Sequence, residues 1–315
     1  MTAFDSAGRT EPPPGALRWL REQLGEFRVV RACRQDSRRT GVWELTCAGG
    51  RHYLKLNRRR VRWGTELFVY RNWIDAFRPY APDLEGVLEV DGLHGLLLSA
   101  VKGVPLREAG LPPERQDRAY AKAGELIARL HALDTGSWFG VMDELGSPVG
   151  DVGGRLDDEP TDPVLRYRAA IEASLSKAEA AGAVDDDETR IARDVLDSLR
   201  GLTFDAPVPT SFDYTPGNWV VDERGELTGV IDFENMAWGL REDPFVRLLV
   251  DYFPQSRRLE DAFCDGYGRR PFEQHPERVR IGLLLYALLY KTEAVELKRP
   301  ELAGRGERAF GLCSG

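Results

Sequence analysis

The sequence predicts an α+β fold in two lobes, a small β-rich N-lobe and a larger, mostly helical C-lobe. Short strand-like runs joined by tight turns crowd the first hundred residues, and helical patterns dominate from residue 118 onward. A strand–turn–strand segment flanked by Asp and Asn interrupts those helices at 211–239. At 315 residues the chain is long enough to divide a sizeable core between two such units.

The first fifteen residues, MTAFDSAGRTEPPPG, lack the apolar run of a secretion signal, and residues 1–14 read as a tail. Residues 28–33 (RVVRAC), 42–47 (VWELTC) and 51–56 (RHYLKL) read as three short strands, with Gly49-Gly50 turning between the second and third. The third carries Lys55, the only lysine in the first hundred residues. A helix is expected at 65–78. There Glu66, Tyr70, Trp73 and Phe77 follow one another at i, i+4, i+7 and i+11, which puts Glu66 on an apolar, inward face and Asp75 on another. These two are the only carboxylates between residues 56 and 82. Between the first two strands, RQDSRRTG holds a single glycine, Gly41, and no phosphate-loop signature. Ser37, Thr40 and the amides around Gly41 can still cradle phosphate, while Arg34, Arg38 and Arg39 either add charge there or face solvent.

Residues 93–106, LHGLLLSAVKGVPL, read as a buried strand running into a turn. RAYAKAGELIARLHAL is a helix with Leu126, Ile127 and Leu130 at core spacing, and His131 at its end reads as a buried structural hydrogen-bonder. Residues 136–163 read as loops, and helices follow near 163–181 and 186–200. IGLLLYALLY, 281–290, is too short to span a bilayer and reads as a buried core helix, so no membrane partner is expected.

A net charge of −8 argues against nucleic acid as the partner. Cys33, Cys47, Cys264 and Cys313 are scattered without a C-x-x-C pair, which argues against a zinc site or a disulfide framework and suits a reducing cytoplasm. Arginine outnumbers lysine 37 to 6, so each lysine stands out. Acidic residues gather at 157–162 and at 185–188 (DDDE); such runs are solvated faces, or they line a pocket for ammonium groups.

The most informative stretch is SFDYTPGNWVVDERGELTGVIDFENMAWG, residues 211–239. Asp213 opens a loop that runs to Asn218; WVV and LTGVIDF read as strands, with Gly225 at the tip of the turn between them. An antiparallel hairpin returns Asp232 to the neighbourhood of Asn218. Asp and Asn are also ordinary turn formers. The order of the pieces, D-x-x-x-x-N, strand, turn, strand, I-D-F, favours a phosphoryl-transfer layout instead: one carboxylate takes the hydroxyl proton, while an amide and a second carboxylate hold a metal. Oxygen ligands without His or Cys suit Mg²⁺.

With Asp213, Pro216, Gly217, Asn218, Ile231, Asp232, Phe233 and Glu234 in place, the segment resembles the aminoglycoside phosphotransferase and related small-molecule kinase family, whose pattern is close to H-G-D-x-x-P-G-N followed by I-D-[FW]-E. Ser211 stands where that family usually has His, a residue thought to brace the loop, and Phe212 where it has Gly. GLREDPFVRLL resembles the family's G-D-P-x-x-D-L helix start, with Asp243-Pro244 at the cap and Arg247 in place of an Asp. The resemblance covers roughly residues 28–300 and implies a protein-kinase-like fold with an N-lobe over 1–98, a hinge near 99–103 and a C-lobe over 99–315.

It implies transfer of the γ-phosphate of ATP or GTP to a hydroxyl of a small molecule, most simply an antibiotic. Asp213 is then the base, Asn218 and Asp232 the Mg²⁺ ligands, Lys55 the phosphate holder and Glu66 its orienter, with Ser99, Ala100 and Val101 against the purine. A sugar or amino-alcohol kinase, and a catalytically silent nucleotide-binding regulator, are the alternatives. Trp138, Phe139 and Trp238 offer an aromatic floor for a less cationic acceptor than the acidic runs would suit.

Overall fold

A computed structural model of the chain describes residues 10–35, 40–90, 92–149 and 162–314. The α+β expectation holds: an antiparallel sheet of five strands forms the N-lobe, and helices dominate the C-lobe. Helix α1 (Pro14–Leu24) precedes the sheet and was not expected from the sequence. It lays Ala16 and Leu20 on a sheet core of Trp43, Leu45, Leu54, Leu56, Leu88 and Leu97.

Strands β1 (Phe27–Gln35), β2 (Thr40–Cys47), β3 (Gly50–Asn57), β4 (Leu84–Val90) and β5 (Leu93–Ser99) pair in the order β1-β2-β3-β5-β4. The three expected strands are present and slightly longer. β4 went unread because it is an edge strand, mostly half-exposed, with only Leu88 fully buried. Helix α2 (Arg60–Asn72) starts and ends earlier than the expected 65–78, and the chain tightens into a 3₁₀ turn at Ile74–Phe77. That turn keeps Trp73 and Phe77 inward. Glu66 is wholly buried and Asp75 exposed, as the spacing predicts.

After β6 (Val104–Pro105), helix α3 (Pro113–His131) runs against α7 (Arg257–Tyr267). Their backbones meet so closely that a Cβ on Gly124 or Gly266 would lie 2.1 Å from the Phe263 carbonyl or 1.8 Å from that of Ala121. A small hairpin, β7 (Val141–Met142) and β8 (Pro148–Val149), leads to α4 (Pro163–Ala180) and α5 (Asp186–Ser198). Then come β9 (Val208–Ser211), β10 (Trp219–Val221), β11 (Leu227–Val230), β12 (Met236–Gly239) and α6 (Asp243–Asp251). Helices α8 (Pro271–Gln274), α9 (Pro276–Glu296) and α10 (Ala303–Cys313) close the chain. The 281–290 run lies within α9, largely buried, and packs with α4, α5, α6 and α10 in a second core. No helix among the described residues is long and apolar enough to cross a membrane.

Each acidic run contributes a helix cap among the described residues. Asp162 accepts from the amides of Val164 and Leu165, while 157–161 lie outside the described residues. Asp185 and Glu188 form a reciprocal capping box, and Glu188 also pairs with Lys291 at 2.9 Å. Of the three aromatic residues, Phe139 is buried against Tyr167 and Phe204, whereas Trp138 and Trp238 are half-buried against the main core, Trp238 edge-on to Trp73 at 4.9 Å.

His131 is buried between α3 and α7, its Nδ1 2.8 Å from the Tyr267 hydroxyl, in the structural role expected. Burial, then Arg241 and Arg269, push its pKa down to about 3. A depressed imidazole stabilises the fold fully above the unfolded pKa near 6.5 and progressively less as pH falls toward the folded value. His131→Gln should therefore remove about 2 kcal/mol of the stability lost between pH 7 and pH 5. Urea denaturation of both proteins at the two pH values checks this.

Candidate active site

The β10–β11 hairpin turns at Asp222–Glu226, where the Asp222 carboxylate accepts from the amides of Arg224 and Glu226 and Gly225 takes a φ of 83°. Pairing of Trp219 with Val230, and the Ile231 amide on the Asn218 carbonyl at 3.0 Å, bring the chain back beside Asn218 one residue before Asp232. Asp232 has a φ of 68°, which few residues other than glycine adopt. It is fixed there from both sides, by the Ile231 bond and by the Phe233 amide donating to Glu66 Oε1 at 3.2 Å. The Phe233 ring is buried against Phe77 and, edge-on, Tyr70.

The loop from Ser211 to Asn218 is closed by its own polar groups. The Asp213 amide donates to Ser211 Oγ at 3.2 Å, Asn218 Nδ2 donates to the Asp213 carbonyl at 2.9 Å, and the Asn218 amide donates to the Thr215 carbonyl at 2.8 Å. Ser211 therefore braces the loop by itself, from a buried position in β9 paired with Met236 of β12.

Lys55 joins the two lobes. Its Nζ lies 2.8 Å from Glu66 Oε2, 2.5 Å from Asp232 Oδ1 and 2.9 Å from Glu234 Oε2. Burial disfavours the ammonium, but Asp232, Glu234 and Glu66 together hold its pKa well above the ordinary lysine value. Burial pushes the Glu66 carboxyl up to about 7, against the pull of Lys55. Glu234, read from the sequence only as a motif match, belongs to this cluster, and the Thr40 hydroxyl reaches it at 3.4 Å after donating to Asn57 at 2.8 Å. Of the proposed phosphate loop, residues 36–39 lie outside the described residues.

Three further placements refine the sequence reading. The Ser99 amide donates to the Asp83 carbonyl at 2.9 Å and that of Ala100 to Arg51 at 3.1 Å, so the first two hinge amides are engaged by the sheet. Val101 packs on Gly229. Asp243 is itself the first residue of α6, and its carboxylate accepts from the Leu240 amide at 2.7 Å rather than capping the helix forward. Arg247, one turn into α6, places Nη1 on Asp213 Oδ1; its side chain is 20% exposed. No spacing in the sequence announced that contact.

Asn218 and Asp232 supply oxygen only, which fits Mg²⁺, an ion that keeps several waters and takes one or two protein oxygens beside substrate phosphates. Among the described residues no group of three or more His, Cys, Asp or Glu is arranged to hold a metal. A two-ligand site completed by phosphate is consistent with that.

A model of the phosphotransferase enzyme family matches residues 29–281. No curated protein matches the chain. Among solved structures, a thermostable mutant of aminoglycoside phosphotransferase APH(4)-Ia, in a ternary complex with AMP-PNP and hygromycin B, superposes with a TM-score of 0.71 at 16% identity, covering 94% of this chain and 97% of that one. The gentamicin complex of APH(2")-IIa gives 0.63 at 15% identity, covering 96% and 97%. The GDP and kanamycin complex of APH(2")-IIia gives 0.66 at 14% identity, covering 95% and 98%. Likeness at such identities establishes the fold.

Removing the one ammonium from three carboxylates exposes how much the cluster depends on it. Lys55→Met should destabilise the ligand-free protein by about 3–5 kcal/mol at pH 8, the range for breaking a buried ion pair. Carboxylates left together have raised pKa values, so the native variant gains protons and the deficit should shrink as pH falls toward 5. Denaturant titrations across that range test both the size and the sign.

Proposed function

This chain belongs to the phosphotransferase enzyme family, and on that premise we propose that it transfers the γ-phosphate of a nucleoside triphosphate to a hydroxyl of a small molecule. The observation that carries the reading is the buried contact of Lys55 with both Glu66 and Asp232, beside a loop that ties Asn218 to Asp213. A lysine fixed by a helix glutamate, a carboxylate at the end of a hairpin and an amide five residues after another carboxylate are the parts such a transfer needs.

In this reading Lys55 turns from Asp232 to the α- and β-phosphates while Glu66 keeps hold of it. Asp213 accepts the acceptor's hydroxyl proton as the oxygen attacks the γ-phosphorus; the bond to the β–γ bridging oxygen breaks and the nucleoside diphosphate leaves. Asn218 and Asp232 would hold Mg²⁺, which when bound neutralises phosphate charge. With the Ser99 and Ala100 amides engaged by the sheet, purine contact falls mainly to Val101 and the face of the hinge strand. Complexes with AMP-PNP and with GDP among the structural neighbours support either ATP or GTP as donor. An antibiotic is the preferred acceptor; the neighbours' complexes with hygromycin B, gentamicin and kanamycin support that class of compound without fixing the acceptor's charge.

Asp213→Asn should cut turnover by a factor on the order of 10²–10⁴ and leave nucleotide affinity unchanged, the range for losing a positioned general base. Screening antibiotics and metabolites for phosphorylated product by mass finds the acceptor; near-normal turnover by the variant removes Asp213 from that role. Asp232→Ala, or chelation of Mg²⁺ in the wild type, should abolish transfer. Product formation that persists in excess chelator contradicts the metal assignment.

A further inference from the structure

Asp213 stands where the acceptor hydroxyl has to arrive, and Arg247 already occupies one of its oxygens. A guanidinium with four-fifths of its side chain covered is poorly screened by salt, so it acts strongly on whatever charge comes beside it. Among the described residues, the carboxylate that follows on its helix is already engaged. Asp251, on the same helix, takes the Tyr286 hydroxyl at 2.7 Å and faces Arg305 at 3.7 Å and Arg308 at 3.4 Å. Arg305 lies over the Tyr290 ring at 5.5 Å, and the Tyr286 and Tyr290 rings are 4.3 Å apart. Beyond Asp213, then, two arginines meet Asp251 beside a pair of tyrosine rings. Of the described part of the acidic runs, Asp162, Asp185 and Glu188 are engaged in helix caps, Glu188 also with Lys291, and Asp187 with Arg190.

Resting on the phosphotransferase reading, we infer that Arg247 sets the charge of the acceptor: it excludes polycationic compounds and favours one bearing an anionic or strongly accepting oxygen beside the hydroxyl to be phosphorylated. Among the described residues Arg247 Nε is buried without a hydrogen-bond partner, a donor that a ligand oxygen satisfies once the side chain swings off Asp213. The exchange moves no covalent bond. It replaces the Asp213 carboxylate by a ligand oxygen on Arg247 and leaves Asp213 to the incoming hydroxyl. Arg247 is in this sense a specificity residue that also positions the base.

The test is calorimetry of kanamycin A against the full chain loaded with AMP-PNP and Mg²⁺, for the wild type, Arg247→Asp and the near-neutral Arg247→Gln. Expected are no binding to the wild type at millimolar concentration and binding at least about tenfold tighter in both variants, a step of 1.4 kcal/mol. In turnover, the wild type should prefer neutral nucleosides and carboxylated glycosides to every aminoglycoside. Arg247→Gln guards against a fold lost in Arg247→Asp, since relief of repulsion must appear in either. Tight kanamycin binding to the wild type, or variants that bind it no better, overturns the inference. Failure of the wild type to bind AMP-PNP with Mg²⁺ at all sinks the phosphotransferase reading on its own, before any acceptor is added.

Discussion

Lys55 is a single buried ammonium facing carboxylates from three segments: Glu66 in α2, Asp232 at the end of the β10–β11 hairpin and Glu234 in the turn before β12. Two of those segments belong to the helical lobe and one to the sheet lobe, so the interaction fixes how the lobes meet. Burying any one of these charges alone would be costly, and together they are tolerable only because each is paired. Burial pushes Glu66 up to about 7, with Asp232 and Glu234 adding to the push against the pull of Lys55, while the three carboxylates keep Lys55 firmly protonated. A site of this kind is complete only when further positive charge, a metal ion or a proton, shares the carboxylates.

The scaffold around that point is apolar and stiff. Trp219 of the hairpin stacks on Phe263 at 5.9 Å, and Phe233, the residue after Asp232, is locked against α2 and the 3₁₀ turn. Backbone bonds on both sides hold Asp232 in a left-handed conformation it would not choose, so packing keeps the carboxylate in place before any ligand arrives. Ser211 shows how such a loop tolerates change: a hydroxyl that accepts from the Asp213 amide closes the same turn without an imidazole.

Much of this was legible in the sequence, and for identifiable reasons. Lys55 stood out as the only lysine in a hundred residues, and Glu66 by its helical register with Tyr70, Trp73 and Phe77. The hairpin was marked by turn residues between two apolar runs. Helix α1 was hidden because it begins at the proline-rich end of what read as a tail, although proline is favoured at a first helical position. α10, AGRGERAFGLC, carries glycines that weaken any helical reading, and packing on α9 is what holds it. Asp162, Asp185 and Glu188 serve as helix caps, a role that charge counts do not distinguish from a solvated face or a pocket. The Arg247–Asp213 contact was invisible for a different reason: the residues are 34 positions apart, and only the placement of α6 against the β9 loop joins them.

We propose the Lys55 cluster as a nucleotide-phosphate site held ready by carboxylates. The most direct measurement is a crystal structure with a non-hydrolysable nucleoside triphosphate and Mg²⁺. Expected there are Lys55 Nζ on the α- and β-phosphates with Glu66 retained, and the ion bound by Asn218 and Asp232. A nucleotide bound elsewhere, or Lys55 still paired to Asp232 and Glu234 beside a bound nucleotide, would contradict it.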